Sequence, residues 1–238
     1  MKRVLITGIT GDIGRAIASR FIEAEYAVVG LYHSNHEQAK KLESTLGCEM
    51  RSLDFGSMGD VPSLDCDVLV NNAGVNYSDR YCHETPLADW RKTIEINTIT
   101  PIRLAAAVIP GMIERCFGRI LNISSIYGLV GSECNGPYNV SKHALSGFTK
   151  SIAHEYASAG ITANEICPGP VESTLLNRIA SAQSDTSPED YIKEISSEVP
   201  AQRLAKPADV ASAAWYLASE EAGYINGVSL VVDGGMIC

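Results

Sequence analysis

The run Arg3-Val4-Leu5-Ile6-Thr7-Gly8-Ile9-Thr10-Gly11-Asp12-Ile13-Gly14, leading into Arg15 to Ala24, decides how this chain is read. Val4-Leu5-Ile6 is a short apolar run cut off by glycines, which predicts a buried strand. The glycines let backbone N–H groups come close to a bound anion, and the start of the next helix favours negative charge. Strand, glycine turn and helix together form an arrangement suited to a dinucleotide pyrophosphate. The alternation then continues. Strands are expected near residues 2–7, 26–31, 49–53, 67–71, 118–124, 161–167 and 228–232. Helices are expected near 12–24, 35–46, 87–116 with a break around Asn97 to Pro101, 138–158 and 207–219. With no internal repeats or linkers, this predicts an α/β chain with a doubly wound parallel sheet of about seven strands and helices on both faces.

A second group carries chemistry. Tyr138 and Lys142 lie one helical turn apart in Tyr138-Asn139-Val140-Ser141-Lys142, so they share a helix face. Ser125 closes Leu121-Asn122-Ile123-Ser124-Ser125, at the carboxyl end of an apolar strand, where open α/β sheets bind ligands. A free phenol ionises near ~10, and an adjacent ammonium is expected to lower that value and make Tyr138 a usable acid or base.

Together these residues resemble the short-chain dehydrogenase/reductase family, nearly end to end. Asn71-Asn72-Ala73-Gly74, Asp54, Asn97, Pro168-Gly169 and Val231-Val232-Asp233-Gly234-Gly235 match further family motifs. The resemblance implies a single-domain Rossmann fold over residues 1–238 and hydride transfer between a nicotinamide and a carbonyl or alcohol. In that scheme Tyr138 exchanges the proton, Ser125 fixes the substrate oxygen, Lys142 supports the phenol and binds ribose, and Asn97 holds a water leading to the lysine. Gly8, Thr10, Gly11, Asp12, Ile13 and Gly14 would hold the pyrophosphate. Asp54, Asn72, Ala73 and Gly74 would line the adenosine side, and Pro168, Gly169, Val171 and Ser173 the nicotinamide. No metal is implied. The segment Asp54 to Asn71 is short for the family and predicts a loop or single turn there.

One position departs from the classical pattern. Asp12 stands where a glycine is usual, and Gly8, Gly11 and Gly14 take the spacing of the extended branch, which includes sugar-nucleotide epimerases and dehydratases. Chain length and the Asn71-Asn72-Ala73-Gly74 motif favour the classical form. An epimerase or dehydratase, and a non-catalytic NADP(H)-sensing regulator, stay open as alternatives. After the second strand the chain reads Tyr32-His33-Ser34-Asn35, with no acid to chelate an NAD ribose, so NADP(H) is favoured over NAD(H), and Ser34, Asn35 and His33 could donate hydrogen bonds to its 2′-phosphate on the adenosine side. Residues 171–203 are expected to form a substrate lid. It includes the polar tract Ser181 to Pro188 and the amphipathic Glu189 to Val199, with Leu175, Leu176, Ile179, Tyr191, Ile192 and Ile195 covering a moderately apolar substrate. A 3-oxoacyl chain bound to a carrier protein or CoA is one such substrate; Arg119 is suitably placed to help grip an acidic carrier, whereas Ala159 stands where a base is common.

Composition is consistent with this. The 238 residues carry a net charge of −9, 45% hydrophobic and 20% charged residues, an ordinary globular balance that disfavours nucleic acid and anionic membrane surfaces. No signal peptide and no run of membrane-span length are read from the sequence. Seven cysteines, odd in number and scattered, are expected as reduced thiols in a cytoplasmic protein; Cys134, in the loop between Ser125 and Tyr138, could touch substrate or simply fill space. The resemblance also implies a homotetramer or homodimer built on the long helices from Thr98 to Arg115 and from Tyr138 to Ala157. Ala105, Ala106, Ala107 and Gly147 would permit close helix approach.

Overall fold

A computed structural model of the chain describes residues 1–56, 64–77, 79–182 and 186–238. The strands are β1 (Arg3–Thr7), β2 (Ala27–Tyr32), β3 (Glu49–Ser52), β4 (Val68–Asn71), β5 (Gly118–Ile123), β6 (Ile161–Pro168) and β7 (Ser229–Val232). They form a seven-stranded sheet in the order β3-β2-β1-β4-β5-β6-β7, every neighbouring pair parallel. The chain starts at the centre, winds outward to β3 and then crosses to β4. The order therefore reverses between β1 and β4, and a crevice opens at their carboxyl ends.

The helices are α1 (Asp12–Glu23), α2 (His36–Leu46), α3 (Leu87–Ile94), α4 (Thr100–Glu114), α5 (Gly136–Tyr156), α6 (Thr174–Ala182), α7 (Pro188–Glu198) and α8 (Pro207–Ala218). Side chains alternate along each strand, so the sheet has two apolar faces. Val4 and Ile6 of β1 pack with Ile17 and Phe21 of α1 and with Val210, Ala214 and Leu217 of α8. Leu5 faces the other way, into Leu104, Val108 and Met112 of α4 and Ile152 of α5. Burial of each large apolar side chain contributes about 1.5–3 kcal/mol, and two such faces hold the sheet between helical layers.

The seven strands lie within one or two residues of their expected positions. The helices differ more. The break expected around Asn97 to Pro101 is absent: a π-helical turn, Glu95–Ile99, joins α3 to α4, with the Thr100 N–H bonded to the Glu95 carbonyl. That wider turn admits Pro101, which has no N–H, at the start of α4 without ending the helix. The joined segment Leu87–Glu114 runs 28 residues and by length and hydropathy would reach across a membrane, contrary to the expectation that no run does; 56% of its most apolar window is buried inside this fold. Ala105 points into the core, while Ala106 is exposed.

Helices α6 and α7 were not among the expected helices, although the amphipathic stretch of α7 had been marked. Residues 57–63 of the expected short crossover and 183–185 of the polar tract lie outside the described residues. At the crossover's described ends Phe55 and Leu64 pack against the α4 face of the core.

Candidate functional site

At the crevice, Thr7 locks the glycine turn to the segment after β4. Its hydroxyl accepts the N–H groups of Asn72 at 2.9 Å and Ala73 at 2.8 Å, while the Asn72 amide donates to the carbonyls of Thr7 and Gly8 at 2.9 and 3.2 Å. Gly8 takes φ +64°, a left-handed turn that returns the chain toward α1. Gly11, Asp12, Ile13 and Gly14 follow at the helix N-terminus, as expected.

Asp12 does something the sequence does not reveal. Its carboxylate accepts the backbone N–H of Thr174 at 2.6 Å, across to the start of α6, and pairs with Arg15. Burial pushes this carboxyl up, but the Thr174 hydrogen bonds and Arg15 outweigh it and hold it below its ordinary value. Asp12 thus ties the glycine turn to the start of α6. The segment before α6 is tied as well: Val171 bridges Ala205, Glu172 N–H donates to the Ala205 carbonyl at 2.8 Å, and Ala205 N–H donates to the Pro170 carbonyl at 3.0 Å.

After β2, Tyr32 O–H lies 3.2 Å from His36 Nδ1, and His33 Nε2 lies 3.5 Å from Asp54 Oδ1, so two residues expected on the adenosine side meet. Ser34 is exposed. Asn35, read as a phosphate donor, caps α2 through its Oδ1, which accepts from Gln38 N–H at 3.2 Å.

The four residues expected to carry the chemistry converge. Ser125 follows β5, and its hydroxyl accepts from Tyr127 N–H at 3.2 Å, capping the 3₁₀ turn Ile126–Gly128. The same hydroxyl stands close enough to the Tyr138 phenol to favour its ionised form. Lys142, 4% exposed, donates to the Ile123 carbonyl at 2.9 Å, with Nζ 5.4 Å from the centre of the Tyr138 ring. Asn97 is fixed by the π-helical turn: Oδ1 accepts Val75 N–H at 2.8 Å, and Nδ2 donates to the Val75 carbonyl at 2.8 Å and to Ser141 Oγ at 3.0 Å. Lys142 Nζ and Asn97 Oδ1 would lie 3.5 and 3.6 Å from a Cβ at position 74, so Gly74 leaves the space between them open.

The electrostatics correct one expectation. Burial pushes the Tyr138 phenol up rather than down, with the Ser125 hydroxyl beside it pulling the other way. Burial also pulls Lys142 down to about 8. Desolvation outweighs the expected help from the ammonium because Nζ is drawn to the Ile123 carbonyl and stands off the phenol. Tyr138 is half-buried by surface, since its outer side faces a cavity.

That cavity measures about 1010 Å³. Asn72, Gly74, Ser125, Tyr138 and Lys142 line its base, Ile13, Pro168, Gly169, Val171 and Ser173 one flank, and Leu175, Leu176, Ile179, Tyr191 and Ile195 its cover. His33, Ser34 and Asp54 are not part of its lining, and Asn97 stands behind Gly74. Tyr127, Cys134, Asp79, Glu198, Met236 and the pair Asn76–Asn135, bonded at 2.6 Å, also line it or its mouth. Except for Cys134, sequence reading missed them, because they come from separate loops with no common spacing. A smaller cavity of about 610 Å³ lies among Asp12, Ser173, Asn177, Gln202 and Arg203 and contains none of the four converging residues. Arg119 is another correction. It is the second residue of β5, at the end opposite Ser125, is 5% exposed, and donates to the Gly118 carbonyl at 2.9 Å, so it cannot grip a carrier at the entrance.

The chain matches the family described as enoyl-(acyl carrier protein) reductase over residues 8–237. It is 36% identical to a 3-oxoacyl-[acyl-carrier-protein] reductase of Vibrio harveyi, over 99% of this chain and 97% of that protein. The chain belongs to the short-chain dehydrogenase/reductase family. This dehydrogenase is also 35% identical to the acetoacetyl-CoA reductase of Shinella zoogloeoides, over 99% of this chain and 98% of that one. Among solved structures it is similar to a protein of Beutenbergia cavernae described as an NAD(P)-dependent gluconate 5-dehydrogenase with bound NADP: TM-score 0.86, 29% identity, 99% of this chain and 96% of that one. As a member of the family, the dehydrogenase is an NAD(P)-dependent oxidoreductase with a Rossmann-like fold.

Proposed function

We propose that this enzyme interconverts a ketone and a secondary alcohol, with Tyr138 exchanging the proton on the substrate oxygen while the nicotinamide carries the hydride. The observation that carries the reading is that Ser125 and Tyr138 both line the base of the 1010 Å³ cavity, with Lys142 one turn on. Two hydroxyls on one wall of that cavity would both reach one carbonyl oxygen. Lys142 would bind ribose and support the phenol, and Asn97 would hold the water behind it. Pro168, Gly169, Val171 and Ser173 flank the place for the nicotinamide ring, and residues 171–203 act as the lid.

The cover of Leu175, Leu176, Ile179, Tyr191 and Ile195 suits a ketone with an apolar body, and the reductases named above support a 3-oxoacyl thioester or a related carbonyl compound. Among the described lining residues Lys142 is the one cation, and Asp79 and Glu198 sit with it, so the acyl end rather than an acidic carrier is what this cavity recognises. The seven free thiols fit a cytoplasmic setting, and pairing of α4 and α5 between copies would give a homotetramer.

The test is absorbance of reduced nicotinamide with NADPH and NADH against β-keto esters, acyl thioesters, diketones, keto-steroids and sugars. Turnover confined to one carbonyl class supports the reading. Tight nucleotide binding with no turnover on any of them would give the sensor alternative the advantage, and conversion of a sugar nucleotide without net nicotinamide change the epimerase one.

We propose NADP(H) as the preferred cofactor. No acid stands at Tyr32 to Ser34, and Asp54 is drawn toward His33. Ser34→Asp is then expected to lower the NADPH-to-NADH ratio of kcat/KM by about tenfold or more, since a carboxylate would face the 2′-phosphate. An unchanged ratio in the variant would show that Ser34 does not meet the ribose.

A further inference from the structure

One helical turn along α5 from Lys142, against β6, lies a buried carboxylate that the proposed reaction does not use. Along β6, Cys167 and Glu165 face α5, whereas Ile166 packs on the opposite face of the sheet. Glu165 is 1% exposed. It accepts a hydrogen bond from Ser146 Oγ of α5 at 2.8 Å and another from Ser229 Oγ of β7. Ser146 follows Lys142 by one turn on the same helix face, and its hydroxyl also reaches the Lys142 carbonyl at 3.3 Å.

The groups around Lys142 can be named element by element. From α5 come Tyr138 and Ser146. From β5 and the turn after it come the Ile123 carbonyl, Ser124, Ser125 and the backbone of Gly128, and from the other side Gly74 and Asn97. β6 contributes Cys167 and Glu165. Burial pushes the Cys167 thiol up to about 12, so it carries no charge near neutrality. Among the described residues of this set Glu165 is the one carboxylate. A buried ammonium needs a nearby counter-charge, and a buried carboxylate needs hydrogen bonds, which the two serines supply.

We propose that Glu165 is a positioning residue that keeps Lys142 charged beneath Tyr138, so that the proton exchange stays supported at neutral and mildly alkaline pH. This rests on the reading of Lys142 as the cation that supports Tyr138. A charged lysine is required below its ionisation range and lost above it, so removing the counter-charge shifts the loss of activity to lower pH.

The measurement is kcat against pH with saturating NADPH for the native chain, Glu165→Gln, Glu165→Asp and Lys142→Met. In Glu165→Gln, whose amide oxygen can still accept from both serines, the alkaline limb is expected to fall by roughly one pH unit, or about tenfold in kcat on that limb. Well below the limb, kcat should be near native. Glu165→Asp keeps the charge and should shift the limb by a smaller amount in the same direction, which tests the idea should the glutamine variant fail to fold. Lys142→Met should be inactive throughout. If it is inactive while both Glu165 variants overlay the native profile, Glu165 serves packing alone. If Lys142→Met keeps native turnover, the reading of Lys142 falls, and the role of Glu165 with it.

Discussion

Replacing Tyr138 by phenylalanine is expected to lower kcat about 10³-fold, within the range for loss of a positioned general acid or base, with little change in nucleotide affinity. The ring stays in place and only the phenolic oxygen is lost. Ser125 keeps its bond from Tyr127 N–H and so retains its position. Lys142 keeps its bond to the Ile123 carbonyl, so the ribose side should persist. Turnover measured by nicotinamide absorbance, beside an NADPH fluorescence titration, separates the two effects. A variant that keeps more than about a tenth of native kcat would mean that another group exchanges the proton, since even the weak end of acid–base catalysis exceeds that factor.

Gly14→Ala should be nearly as damaging, through the backbone. A Cβ built at Gly14 lies 2.5 Å from the Gly8 carbonyl oxygen, 2.8 Å from Ile9 Cα and 2.9 Å from Asn72 Nδ2. Two of these are main-chain atoms held by the Thr7 and Asn72 network, so they cannot rotate away. Alanine in a helix ordinarily gains up to about 1 kcal/mol over glycine. Here overpacking costs about 1–3 kcal/mol or more and decides the sign. Prying α1 from the turn also misplaces the N–H groups meant for the pyrophosphate. The expected result is a lowered denaturation midpoint and loss of NADPH binding at concentrations that saturate the native chain. Native affinity in a folded Gly14→Ala chain would remove the close approach from the account.

Much of this could be read from local sequence because its causes are local. Val4-Leu5-Ile6 bounded by glycines, and the Tyr138/Lys142 spacing, state their own conformations, and the strands came out within a residue or two. The helix break at Asn97 to Pro101 was misread because a π-helical turn accommodates the proline and leaves no mark in hydropathy. Arg119 was misplaced because distance along the chain does not tell which end of a strand faces the crevice. The direction of the Tyr138 shift was misread for a related reason: helical spacing brings the ammonium near, but the surrounding protein sets the desolvation and the Ile123 carbonyl sets where Nζ points.

By itself the sequence determined the parallel, doubly wound sheet, the glycine turn and the Ser125, Tyr138 and Lys142 trio, since periodicity, turn chemistry and helix geometry act over a few residues. Only the tertiary structure decided that Asp12 ties the turn to α6, that Glu165 bonds Ser146 one helical turn from Lys142, and that separate segments supply the cavity wall. Such contacts join residues far apart in the chain, and burial, which fixes the charge and strength of each group, belongs to the packed molecule.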